Sequence, residues 1–188
     1  MAALASSMGL PFSMKGPDIG MLESTGINLF QGGWSRHTVN LIRWNVSGDI
    51  PAQIFDYRYK QKFGRSNADI NVSVALVNLA KPLPPFMLRP EEFSDKLAGL
   101  AGFDDINIGE HPVFSKKYFL KGGNKDDVKA LFSPEIIMFF ETRSDWCVES
   151  AEGFLAFWKG IGYLKSENYP VFMEEIKEII LRFRGQYI

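Results

Sequence analysis

The sequence predicts an α+β domain built on a largely antiparallel sheet. Three observations point there. Residues 38–79 hold successive runs of alternating apolar and polar side chains with short connections. A second strand pair surrounds Ala151-Glu152-Gly153. Segments with helical spacing, opened by serine or proline, lie between and after these runs.

In chain order, residues 2–8 are rich in Ala, Leu and Ser and stop at Gly9, as a short helix does. Pro17 and Asp18 open a second short helical piece that ends near Gly26, and Gln31-Gly32-Gly33 is a loop. Thr38 to Ser47 reads as a strand, with Ile42, Trp44 and Val46 on one face and Val39 and Leu41 on the other. Gly48-Asp49 turns it into a second strand over 50–60, where Phe55, Tyr57 and Tyr59 alternate with Asp56 and Arg58. Residues 61–69 are polar and read as a loop. Residues 70–79 give the third strand of a meander.

The segment KPLPPFMLRP, residues 81–90, carries four prolines and predicts extended chain with one short edge strand at 86–88. It is the best candidate sub-boundary in what otherwise reads as a single domain over 1–188. Pro90, Glu91 and Glu92 then predict a helix start, with Gly102 as its stop. Residues 113–121 read as a strand and 126–132 as a helix. Ser133-Pro134 opens another helix, with serine as its cap. The hairpin of 146–150 and 154–159 follows. A last helix starts at Pro170 with Phe172, Ile176, Ile179, Ile180 and Phe183 as its buried stripe. Each half has a helix before a strand hairpin, a loose echo that leaves a pseudo-duplicated sheet open.

Composition excludes several classes. The chain has 188 residues, 46% hydrophobic and 14% aromatic, so it can bury a real core and is not a disordered chain. Its net charge of −1 argues against a whole-molecule polyanion binder, and nucleic acid is an unlikely partner. The single cysteine, Cys147, allows no internal disulfide and fits a reducing compartment. No apolar run approaches the roughly 20 residues of a membrane span. The opening MAALASSMGLPF lacks the basic and long apolar regions of a signal peptide.

Several segments together resemble a group of bacterial proteins of unknown function. They are ALASSMGLPFS, GDIPAQIFDYRY, LPPFMLRPE, DINI with HPVFSKKYFLKG, and LFSPEIIMFF. Members of that group often carry one or two membrane helices upstream. The resemblance therefore implies a cytoplasmic domain peripheral to the inner membrane. It implies no catalytic residues.

No P-loop, nucleophile elbow, dinucleotide fingerprint or zinc motif occurs, so nothing in the sequence argues for an enzyme, a cofactor or a metal. The catalytic candidates are weak. Asp56 lies between two aromatics in a strand, where aspartate is disfavoured. Either it is a base in a cleft, or it is a solvated or arginine-paired strand residue. Glu110-His111 places a histidine beside a carboxylate but beside no nucleophile. Asp104, Asp105 and Glu110 do not have calcium-loop spacing. Cys147, between Trp146 and Val148, reads as a small core hydrophobe.

Charge placement says more. Over residues 36–65, Arg36, Arg43, Arg58, Lys60, Lys62 and Arg65 face only Asp49 and Asp56. Over 91–110, six acidic residues face Lys96 alone. Trp34, Tyr57 and Tyr59 accompany the basic group. Such a hairpin suits an anionic membrane surface or, less well, single-stranded nucleic acid. The plainer alternative is core rings on one face and solvated charges on the other. The expectation is a non-enzymatic binding domain with a protein partner, a second copy or an anionic surface as occupant. A small hydrolase-like enzyme near Asp56 and His111 is the runner-up.

Overall fold

The computed structural model describes residues 1–92 and 104–187. Its strands are β1 (Phe12–Lys15), β2 (Trp34–Asn45), β3 (Pro51–Phe63), β4 (Ser66–Asn78), β5 (Phe86–Pro90), β6 (Asp104–Asp105), β7 (Tyr118–Gly122), β8 (Trp146–Ala151) and β9 (Phe154–Lys159). The helices are α1 (Ala2–Ser7), α2 (Ile19–Ser24), α3 (Pro112–Lys117), α4 (Lys125–Leu131), α5 (Pro134–Glu141) and α6 (Tyr169–Tyr187). Among the described residues the strands form one nine-stranded sheet, in the order β1-β2-β3-β4-β9-β8-β5-β7-β6. Every neighbouring pair is antiparallel. The α+β class and the antiparallel sheet are as the sequence predicts.

Apolar side chains on alternate strand positions feed two cores. The larger lies under α1 and α3–α6, where Ile54, Ala75, Val148 and Phe157 of the sheet meet Phe114, Val128, Ile136, Phe172, Ile176 and Phe183. Trp146 stacks on Phe172 at 5.2 Å, so α6 lies flat on the β8–β9 hairpin. Arg143 and Lys159 both bridge to Glu175 and hold the same helix at its rim. The second core lies on the opposite face. There Phe55, Tyr57, Tyr59, Ile70, Val72 and Val74 are covered by Leu22 of α2 and by Leu29 and Phe30 of a 3-10 turn.

Five details differ from the sequence expectation. The polar segment 61–69 is not a loop: β3 and β4 run on to a two-residue turn at Gly64-Arg65, with Phe63 opposite Ser66. Its backbone hydrogen-bonds as a ladder whatever the side chains, and Gly64 at φ +57 supplies the turn. The strand at Phe86 is central rather than an edge, lying between β7 and β8. Its prolines fall before the ladder or at its last residue, where no N–H is needed. Residues 113–121 divide into α3 and β7. In β2, an extra residue at Asn40, with φ +58, breaks the alternation. Leu41 therefore enters the second core while Val39 stays exposed. Pro90 closes β5 and is followed at once by a 3-10 turn at Glu91-Glu92, while the rest of the helix expected up to Gly102 lies outside the described residues.

Candidate functional site

Asp56 is a strand residue on the α6 side of β3, and β-bulge geometry brings it partners. The left-handed backbone at Asn40 turns that side chain inward, and its Nδ2 donates to Asp56 Oδ2 at 2.8 Å. Ser73 lies opposite Asp56 in the β3–β4 register and donates to Oδ1 at 2.5 Å. The Tyr169 hydroxyl, from the first residue of α6, donates to the same oxygen at 3.2 Å. Ser73 Oγ also accepts from the Leu164 amide at 3.0 Å. Burial, above all, pushes the Tyr169 hydroxyl far up from its ordinary value, with the Asp56 charge adding to it. Ser73 is 2% exposed and Asp56 6%, so the cluster is largely withdrawn from solvent. The cluster joins the 160–168 connection and the start of α6 to the sheet. A carboxylate with three donors is satisfied rather than poised.

His111 lies elsewhere. Its Nδ1 is 3.8 Å from Glu141 Oε1, and that same oxygen accepts from the Phe114 amide at 3.1 Å. Glu141 thus occupies the start of α3, where His111 makes no side-chain cap. α3 leads directly into β7, which lies five strand positions from β3. At strand spacing that is roughly 24 Å, so Asp56 and His111 do not form an acid–base pair. Glu110 and Asp105 are exposed, and the Asp104 side chain lies outside the described residues. Among the described residues no three His, Cys, Asp or Glu side chains gather where a metal ion would fit.

The basic hairpin divides between two faces. Trp34 pairs with Lys60 and His37 with Arg58 in the β2–β3 register, so these four share the face that carries Asp56. Lys62 continues the row, and Arg65 sits in the turn at its tip. Trp34 is 44% exposed, and Arg58, Lys62 and Arg65 are exposed. Arg58 bonds to Asp69 at 3.2 Å across the ladder. Tyr57 and Tyr59 are corrected by the structure: both are buried on the other face, stacked at 5.2 Å, with Phe30 edge-on to Tyr57. They offer no platform for a base. Arg43 also departs from the row, because it pairs with Gln53, and Gln53 and Arg58 have opposite parity along β3.

A buried pair escaped the sequence reading. Arg89 of β5 and Glu149 of β8 form an ion pair in which the side chains are 4% and 1% exposed. The Leu29 amide donates to the second Glu149 oxygen at 3.3 Å, and the Arg89 guanidinium lies 5.6 Å from the Trp158 ring centroid. The pair fastens the 3-10 turn to the second face. Its members are 60 residues apart, and no local spacing announces them. Beside it, Cys147 is buried, and burial lifts its thiol to about 12 against a smaller lowering by Arg89.

No family model matches the chain, and no curated protein matches it significantly. Among solved structures, the mycobacterial trehalose monomycolate transport factor A superposes on 98% of this chain and 90% of its own, with a TM-score of 0.63. The two share a fold. At 11% identity the likeness extends no further than that. Among the described residues no helix is long and apolar enough to cross a membrane.

Proposed function

We propose that the chain is a non-catalytic binding domain that lays the open face of the β2–β4 ribbon against an anionic membrane surface. The observation that carries this reading is the row of Arg58, Lys60, Lys62 and Arg65 beside half-exposed Trp34, on a ribbon packed from behind at Tyr57, Tyr59, Ile70 and Val72. Packing from behind stiffens the ribbon, so its cations are presented together at little entropic cost. Trp34 suits the headgroup level, where an amphipathic ring is favoured. A neighbour of the same fold is named as a transport factor, a role described by moving a molecule rather than transforming it. The domain would then act peripherally at the cytoplasmic side of a bacterial inner membrane.

The test is co-sedimentation with vesicles. Each cation near such a surface contributes about 1 kcal/mol, so binding should be weak and confined to vesicles containing anionic lipid. Raising the salt should release the protein, because exposed charges are screened within about 10 Å at 0.1 M. The triple variant Arg58→Glu, Lys62→Glu, Arg65→Glu should stay in the supernatant at low salt. Equal binding to neutral vesicles, or none to anionic ones at low salt, overturns the reading and leaves a protein partner as the alternative.

A further inference from the structure

A groove opens on the second face, away from the basic row, where the ends of β2, β3, β4 and β9 extend past α2. Its volume is about 310 Å³. Leu76 and Phe154 form the apolar floor, and Met21 of α2 overhangs one side at 37% exposure. Three polar side chains stand at its margin: Arg43, Gln53 and Asn78. Each comes from a regular ladder position, Arg43 opposite Gln53 and Asn78 opposite Phe154, so the sheet fixes their spacing.

Arg43 is exposed, and among the described residues its guanidinium makes no ion pair and no hydrogen bond, unlike Arg36, Arg58, Arg89, Arg143 and Arg182. Among the described residues the side-chain amides of Gln53 and Asn78 likewise make no hydrogen bond. The margin therefore offers one uncompensated positive charge and two amide donors beside apolar surface.

We infer that this groove binds a single apolar chain ending in an anionic head, with the chain against Leu76, Phe154 and Met21 and the head on Arg43. A guanidinium receives a carboxylate or a phosphate through paired N–H donors, and Gln53 and Asn78 add donors to the oxygens that remain. The volume lies at the lower end for small-molecule sites and suits one chain rather than a two-chain lipid. A cationic head would meet Arg43 unfavourably, and a neutral one would leave it unsatisfied.

Titration calorimetry on the intact protein tests this with decanoate, decyl phosphate and decylammonium, each held below its micellar concentration, and with decanol below its solubility limit. Both anions should bind saturably at one site, at least tenfold tighter than the alcohol or the ammonium. The ratio between the two anions identifies the preferred head. Within the carboxylates, each added methylene should tighten binding by up to about fourfold until the groove is full. Arg43→Ala should remove the preference for anions, and Met21→Asp should abolish binding. Both positions are solvent-exposed, so the variants should fold, and circular dichroism is the check. Decylammonium binding as tightly as decanoate, anion binding untouched by either substitution, or no saturable binding of any probe would each overturn the inference. The basic row takes no part, so Arg58→Glu, Lys62→Glu, Arg65→Glu should bind decanoate as the parent does.

Discussion

Asp56 is the residue whose role changes most between sequence and structure. An aspartate between two strand aromatics invites a catalytic reading, yet its oxygens are fully engaged by Asn40, Ser73 and Tyr169. Replacing it tests the difference. Asp56→Asn removes one charged acceptor and turns an NH2 group toward donors, so it should cost about 1–3 kcal/mol in a urea melt. Tyr169→Phe removes one bond of the three and should cost about 1 kcal/mol. An unchanged melting midpoint in Asp56→Asn would show that the network does not hold the fold. None of these partners was legible in advance. Ser73 is 17 residues away and Tyr169 is 113, and sequence spacing carries no information about such meetings. Only the oddity of Asp56 itself was visible. Cys147 was readable because its neighbours, Trp146 and Val148, already mark a buried strand.

Elements were legible where the apolar pattern and the turn chemistry agreed. The β3–β4 pairing, the β8–β9 hairpin, the Ser133 cap and the apolar stripe of α6 follow the spacing of their residues. The pattern falls silent where a strand is polar on its exposed face, as over 61–69, and where it is only two to four residues long, as in β1 and β6. The two bulges of β2, marked by Ser35 and Asn40 at positive φ, leave no signal that a period of two can detect. Gly33 gives an element-scale prediction. It has φ +75, and a methyl group there would lie 2.6 Å from the Lys60 carbonyl oxygen and from the Tyr59 ring. Gly33→Ala should therefore destabilise by about 1–3 kcal/mol and loosen the 28–33 cover over Tyr59. Denaturant melts measure the cost, and amide exchange at Tyr57 and Tyr59 reports the loosening. A loss below about 0.5 kcal/mol would mean that the cover is not docked.

Across the whole molecule, the buried acids set the alkaline limit. Burial lifts Cys147 from 9.0 to about 12 and Tyr59 from 10.0 to about 12, and moves Tyr57, Tyr118 and Tyr169 in the same direction. A group whose folded pKa lies above its unfolded value contributes its full stability below the unfolded pKa. That contribution is lost as pH rises toward the folded one. Stability should thus be insensitive to these groups at pH 7–8 and fall between about pH 9 and 12, by up to about 1.4 kcal/mol per unit for each group titrating only in the unfolded chain. Chemical denaturation across pH 7–11 checks the slope. Cys147→Ser should remove the part of it that begins near pH 9, and an unchanged slope would place the thiol in contact with solvent. The near-neutral total charge gave no hint of this limit. It follows from which acids the two cores enclose.

The β8–β9 hairpin sits between β4 and β5, two strands that follow one another in the chain with only a proline-rich connection between them. Seen in time, this is a gap left open. As the chain leaves the ribosome, β2–β4 can pair as soon as they emerge, but β4 and β5 must wait for residues 146–159 to join them. Until then each presents an unpaired, strongly apolar strand edge, the condition that favours misassociation between chains. A nascent chain arrested before Trp146 should therefore aggregate or hold a chaperone. Release past Lys159 should let the sheet close, in a step slowed by the long separations it must bridge.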